Sequence, residues 1–142
     1  MAPQLTDWTC SACSLDWVKV ATGMEAASDR YTTTMQIGYT ENINPTYGLM
    51  DSSGIAMRDV LARYYGRDTE QGWLDFDSVY ALARETPGML SGANWYHWVA
   101  LRGVQGTNLW IANSAQGYKG IYDILSRNDY DRLGGFSVVW LT

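Results

Sequence analysis

Histidine occurs once in this chain of 142 residues, cysteine twice, phenylalanine twice and proline three times. One imidazole and two thiols leave little material for a closed metal site, which normally draws on two pairs of ligands. Basic residues are few and scattered: ten Lys and Arg against fifteen Asp and Glu give a net charge of −5, which speaks against a surface that tracks phosphates. Nucleic acid is therefore not an expected partner. No apolar run approaches the roughly 18 residues of a membrane span, and the start "MAPQLTDW" lacks the basic and apolar segments of a secretory signal. The chain is expected to be soluble in the cytoplasm where it is made, with no membrane partner. There is also no internal repeat, low-complexity tract or linker, so residues 1–142 read as a single domain.

What is present is ordinary in bulk, with 46% hydrophobic and 18% charged residues, enough for a packed core rather than a disordered chain. Aromatic usage is skewed: seven Trp and ten Tyr supply amphipathic rings suited to wet core edges or to a groove that binds peptide or carbohydrate.

Periodicity divides the chain. A helix is expected from Cys10 to about Thr22, with Thr9 as its cap and Cys13, Trp17, Val20 and Ala21 on one face. A second runs from about Ser53 to Tyr65, with Met57, Val60, Leu61, Tyr64 and Tyr65 in the apolar stripe, ended by Gly66. A third covers about Asp75 to Glu85. Residues 28–50 look irregular. After Pro87 the pattern turns to strands, "MLSG", "YHWVALRGV", "LWIANS" and "FSVVWLT", with "QGTN" (105–108) as a hairpin turn and a short helical patch around Ile121, Ile124 and Leu125. Helices followed by a late antiparallel sheet make an α+β order.

The chemistry concentrates in "QLTDWTCSACSLDW" (4–17), where Cys10 and Cys13 stand in a C-x-x-C spacing. Three readings compete: half of a metal site, a disulfide or redox pair, or a thiol at the tip of a helix. A helix N-terminus favours the thiolate, and its free N–H groups can face an oxyanion. Gln4 could supply a second, uncharged donor. The single imidazole, His97, lies at the start of a predicted strand, and the 105–108 hairpin brings Asn113 of the next strand close to it, where an amide oxygen can orient the ring. Alternation along the strand puts Trp95 on the His97 side, so Trp95, with Trp8 beside the cysteine, is a candidate for lining a groove. Asp7, Asp16 and Asp51 are read as caps and solvated positions.

"QLTDWTCSACSL", "YHWVALRG", "LWIANSAQGYKGI" and the closing "LGGFSVVWL" together resemble the papain-like cysteine peptidases. The likeness is to the bacteriocin-leader-processing branch and to the N-terminal peptidase domains of some actinobacteriophage lysins. It implies a papain-like fold, with an N-terminal central helix packed on a C-terminal antiparallel sheet. It further implies Cys10 as nucleophile, His97 as base and acid, Asn113 as orienting residue and Gln4 as oxyanion donor, with no cofactor and no metal. Cys13 becomes an inward-packing core residue. Two departures stand out: Ser11 follows the cysteine where the family usually has Gly, and Asn113–Ser114 replaces the common Asp–Pro. The implied activity is thiol-dependent hydrolysis of an amide bond, with a peptide or a stem or cross-bridge peptide of bacterial peptidoglycan as substrate. Such a protein would reach the wall through holin release or within a phage particle. The alternative is a catalytically silent domain of the same fold that docks other phage virion proteins.

Overall fold

The structure, a computed structural model, describes residues 10–21, 37, 55–66, 68–92, 97–115 and 122–142. In chain order these form α1 (Cys10–Ala21), α2 (Ile55–Tyr65), β1 (Thr69–Leu74), α3 (Phe76–Ala83), β2 (Gly88–Gly92), β3 (Trp98–Gln105), β4 (Asn108–Ala112), β5 (Tyr122–Leu125), α4 (Arg127–Arg132) and β6 (Phe136–Leu141). The strands make one antiparallel sheet in the order β1-β6-β2-β3-β4-β5.

Neighbouring residues along the central strands face opposite layers, as the two-residue period of a strand requires. Met89, Trp98, Ala100, Ala112, Val139 and Leu141 pack with α1 and α2, while Leu90, Val99, Leu101, Ile111, Phe136 and Val138 pack with α3 and α4. Two cores therefore sit back to back across the sheet. Being covered on both faces explains why these strands read as continuous apolar runs rather than alternating ones.

Helix α1 is the central helix. Every residue from Cys10 to Val18 is buried, not only the stripe expected from periodicity. Asp16 is consequently 3% exposed, a correction to its reading as a solvated position: a helix covered on all sides has no wet face to offer a carboxylate. The Arg102 guanidinium of β3 lies 3.6 Å from the centroid of Trp110 and 5.8 Å from that of Trp17, tying α1 to the sheet by cation–π contact. Helix α2 ends as expected at Gly66, whose φ of 67° and N–H bond to Ala62 O (2.8 Å) close the last turn. Asp75 caps α3 by accepting the Ser78 N–H at 2.9 Å.

Two elements differ from expectation. Thr69–Leu74 is a strand that the sequence pattern does not announce, and at the expected helical patch Tyr122–Leu125 is a strand, β5, rather than a helix. In β5 Leu125 turns into a core, whereas Ile124 is exposed on the other face. The helix at that point comes later, at Arg127–Arg132, capped by Ser126. The irregular reading of residues 28–50 and the cap Thr9 lie outside the described residues, apart from Ile37, which is helical and buried. Among the described residues no helix is long and apolar enough to cross a membrane.

Candidate active site

Strand β3 runs into β4 through a two-residue turn with Gln105 paired to Asn108 and Gly106 at φ 59°, a conformation open to glycine. A bulge between Leu101 and Gly103 shifts the register by one, so Ala100 pairs with Ala112. Continued past Ala112, that register sets Asn113 across from Val99. His97 and Asn113 thus meet along a diagonal rather than directly opposed, and the long reach of both side chains closes the gap.

His97 Nε2 stands 2.6 Å from Asn113 Oδ1. The same oxygen accepts the backbone N–H of Ala115 at 3.0 Å, which fixes the amide with its oxygen, not its nitrogen, toward the ring. An amide oxygen can only accept, so Nε2 carries a hydrogen. In the neutral ring the basic nitrogen is then Nδ1. Asn113 is 4% exposed, and that burial holds the pair in one arrangement.

Cys10 is the first residue of α1 and 7% exposed. Burial pushes its thiol above the ordinary value of 9.0, and the backbone N–H groups of Trp98, Ser11 and Cys10 itself act against that shift by favouring the thiolate. Trp98 follows His97 directly, so the tip of α1 meets the sheet where the imidazole enters it. Ser14 secures this junction: its hydroxyl donates to Cys10 O (2.9 Å) and to Trp98 O (3.3 Å), sharing one proton between helix and strand. Burial also lowers His97 below 6.5, with the Asn113 hydrogen bond pulling the other way. Both shifts favour the uncharged forms, thiol and neutral imidazole.

Cys13 lies one turn along α1, 2% exposed and within the core, and both cysteines are free thiols. Ser11 is fully buried, and its Oγ has no hydrogen-bond partner among the described residues. Gln4, Trp8 and Trp95 lie outside the described residues. The residues that sequence reasoning missed are Ser14 and the backbone N–H of Trp98. Nothing in a single sequence marks a strand amide as a partner for a distant thiol.

No protein-family model matches the chain, and no curated protein matches it in sequence. Solved structures do match in fold. A double glycine motif protease from an AMS/PCAT transporter, in complex with the leader peptide, superposes with a TM-score of 0.64 at 17% identity, covering 100% of this chain and 91% of that one. A putative C39-like peptidase from Bacillus anthracis gives a TM-score of 0.67 at 13% identity over 100% of this chain and 94% of that one. The peptidase domain of Streptococcus ComA, a bi-functional ABC transporter involved in a quorum-sensing pathway, gives 0.67 at 14% identity over 99% and 97%. The fold is therefore the papain-like fold of C39-type cysteine peptidase domains, α+β with α1 packed on β2 and β3.

Proposed function

We propose that the chain is a cysteine peptidase in which Cys10, His97 and Asn113 form the catalytic triad. The observation that carries this reading is the hydrogen bond from His97 Nε2 to an Asn113 oxygen already held by the Ala115 N–H. It leaves Nδ1 as the base, at the point where the tip of α1 meets the sheet.

As a peptide carbonyl enters, Nδ1 takes the proton from Cys10 Sγ and the sulfur attacks the carbonyl carbon. The N–H of Cys10 at the helix start receives the developing oxyanion, with Gln4 as the second donor. The imidazolium, steadied by Asn113, passes its proton to the leaving amine and leaves a thioester on Cys10. A water, deprotonated at Nδ1, hydrolyses the thioester and restores the thiol. No step calls for a cofactor.

A peptide substrate is supported by the likeness to a protease described in complex with its leader peptide. Stem and cross-bridge peptides of peptidoglycan are the second class to assay, on the strength of the sequence resemblance to phage lysin domains. The test is release of new amines from linear peptide libraries and from isolated cell walls by the wild type and by Cys10→Ala. Release that disappears with Cys10→Ala supports the assignment, and no release from either class by folded protein overturns it.

The burial and raised pKa of Cys10 favour a second reading, a silent domain that uses the fold to dock other proteins, phage virion proteins among them. An unreactive Cys10 together with a stable stoichiometric complex would establish it.

A further inference from the structure

Hydrolysis by Cys10 leaves the C-x-x-C spacing unexplained, because Cys13 takes no part in it. Both residues are thiols rather than a disulfide, and both lie in the core that α1 shares with α2 and the sheet. Three residues apart on a helix, they occupy one face, one above the other. Helical side chains lean toward the N-terminus, which tips Cys13 over the turn that carries Cys10.

Position along α1 decides whether the two sulfurs can meet. Cβ atoms three residues apart on a regular α-helix stand about 5–6 Å from each other, and a disulfide needs about 3.5–4.5 Å. In the middle of a helix the turns on both sides resist that contraction. Cys10 is the first residue of α1, where the leading N–H groups have no acceptor within the helix. The first turn can therefore tighten to the 3₁₀ form, in which side chains three apart eclipse. Cys10 O then exchanges its backbone partner four residues on for the Cys13 N–H. The Ser14 hydroxyl, 2.9 Å from the same oxygen, bonds it through the side chain as well.

We propose that Cys10 and Cys13 are a dithiol site for hydrogen peroxide, closing into a disulfide within the first turn of α1 that withdraws Cys10 from reaction. Cys10 is 7% exposed and Cys13 2%, so a small oxidant meets Cys10 first. The Cys10 sulfur takes one peroxide oxygen as the O–O bond breaks. Its thiol proton leaves with the other oxygen as water, and Cys10 becomes a sulfenic acid. The Cys13 sulfur attacks that sulfur: the S–S bond forms, the S–O bond breaks, and the Cys13 proton leaves with the hydroxyl as a second water. Two thiols are oxidised and one peroxide is reduced. Closure within one turn outruns a second peroxide, which would carry Cys10 on to the sulfinic acid. Loss of hydrolysis on closure rests on the reading of Cys10 as the nucleophile; formation of the disulfide does not.

The experiment treats folded wild type and Cys13→Ser with hydrogen peroxide at about pH 9, the ordinary thiol value. Remaining thiols are blocked with iodoacetamide in denaturant, and the tryptic peptide Met1–Lys19, which holds both positions, is mapped by fragmentation. In monomeric wild type this peptide should be unalkylated and lighter than the dithiol by about 2 Da, the mass of two hydrogens, and dithiothreitol should restore both thiols. Cys13→Ser should instead gain about 32 Da at Cys10 and keep it under dithiothreitol. Wild type that gains oxygen at Cys10 with Cys13 still alkylable, links into dimers or keeps both thiols overturns the proposal without any variant. So does a loss of about 2 Da in Cys13→Ser, because the sulfur has then joined a backbone nitrogen. None of these readouts involves a substrate. Protein that closes the disulfide, yet when reduced cleaves no peptide, keeps the dithiol and loses the peptidase reading; protein that cleaves peptides but only gains oxygen does the reverse.

Discussion

Asn113 Oδ1 receives two hydrogen bonds, from Ala115 N–H at 3.0 Å and from His97 Nε2 at 2.6 Å, so one amide oxygen joins the backbone beyond β4 to the only imidazole in the chain. That oxygen sets the tautomer, because an acceptor beside Nε2 places the hydrogen there. Asn113→Ala is expected to lower kcat about a hundredfold through misorientation of the base. Asn113→Asp should raise the His97 pKa, because a carboxylate stabilises the imidazolium more than an amide does. The C–H resonances of the sole histidine report this without assignment, and a His97 titration identical in wild type and Asn113→Asp would contradict the arrangement.

The raised thiol and the lowered imidazole predict slow alkylation at neutral pH. Iodoacetamide labelling of Cys10 should climb on the alkaline side, above about pH 9, the ordinary thiol value here. Cys13 should stay protected in the folded protein because it is buried in the core. Mass spectrometry separates the two thiols. A fast plateau for Cys10 below pH 7 would show instead that the ion pair exists before substrate arrives.

Stability should depend on pH through the same two groups. The folded His97 pKa lies below the ordinary 6.5, so the unfolded chain binds this proton more tightly. The contribution of neutral His97 is complete above about pH 6.5 and drains away as pH falls through the folded value. Cys10 has the opposite sense: its contribution is present below 9.0 and is lost as pH rises through its raised folded value. Urea unfolding at pH 7 and pH 5 should show a larger acid loss for wild type than for His97→Gln.

Ser14 links the first turn of α1, which carries Cys10, to the strand that follows His97. Ser14→Ala removes the donor to Cys10 O and Trp98 O and should cost about 1 kcal/mol of stability. The loosened junction should lower kcat about tenfold while leaving KM nearly unchanged. Steady-state kinetics beside urea unfolding checks both parts, and a change in KM alone would place Ser14 outside the catalytic geometry.

The parts of the fold legible in sequence were those where burial is one-sided or complete. Met57, Val60 and Leu61 form a stripe that only a helix puts on one face, and β2, β3 and β6 are apolar because both their faces are covered. Strand β1 escaped notice because "TEQGWL" is an edge strand whose largest side chain, Trp73, points into solvent. Ile121, Ile124 and Leu125 fit helical spacing by coincidence, and the pairing of Ile124 and Leu125 with β4 depends on residues far away in sequence. At the site, the turn at 105–108 was enough to bring His97 and Asn113 together. The bulge near Arg102 was missed, although Gly103 inside the strand is the kind of residue that marks one. Asp16 was misread because the sequence shows how apolar a helix is but not how completely its neighbours surround it.

The bulge has a consequence for how the molecule tolerates change. Residues on β3 alternate between two layers, so the strand carries a parity that each layer reads separately. One residue inserted or deleted directly after Leu101, with the pairing beyond the bulge kept, would send Trp98 and Ala100 toward α3 and bring Val99 and Leu101 under α1. Trp98, whose amide favours the thiolate, and His97 before it would change sides together. Point substitutions in β3 can be absorbed locally, but its length is shared by both halves of the protein.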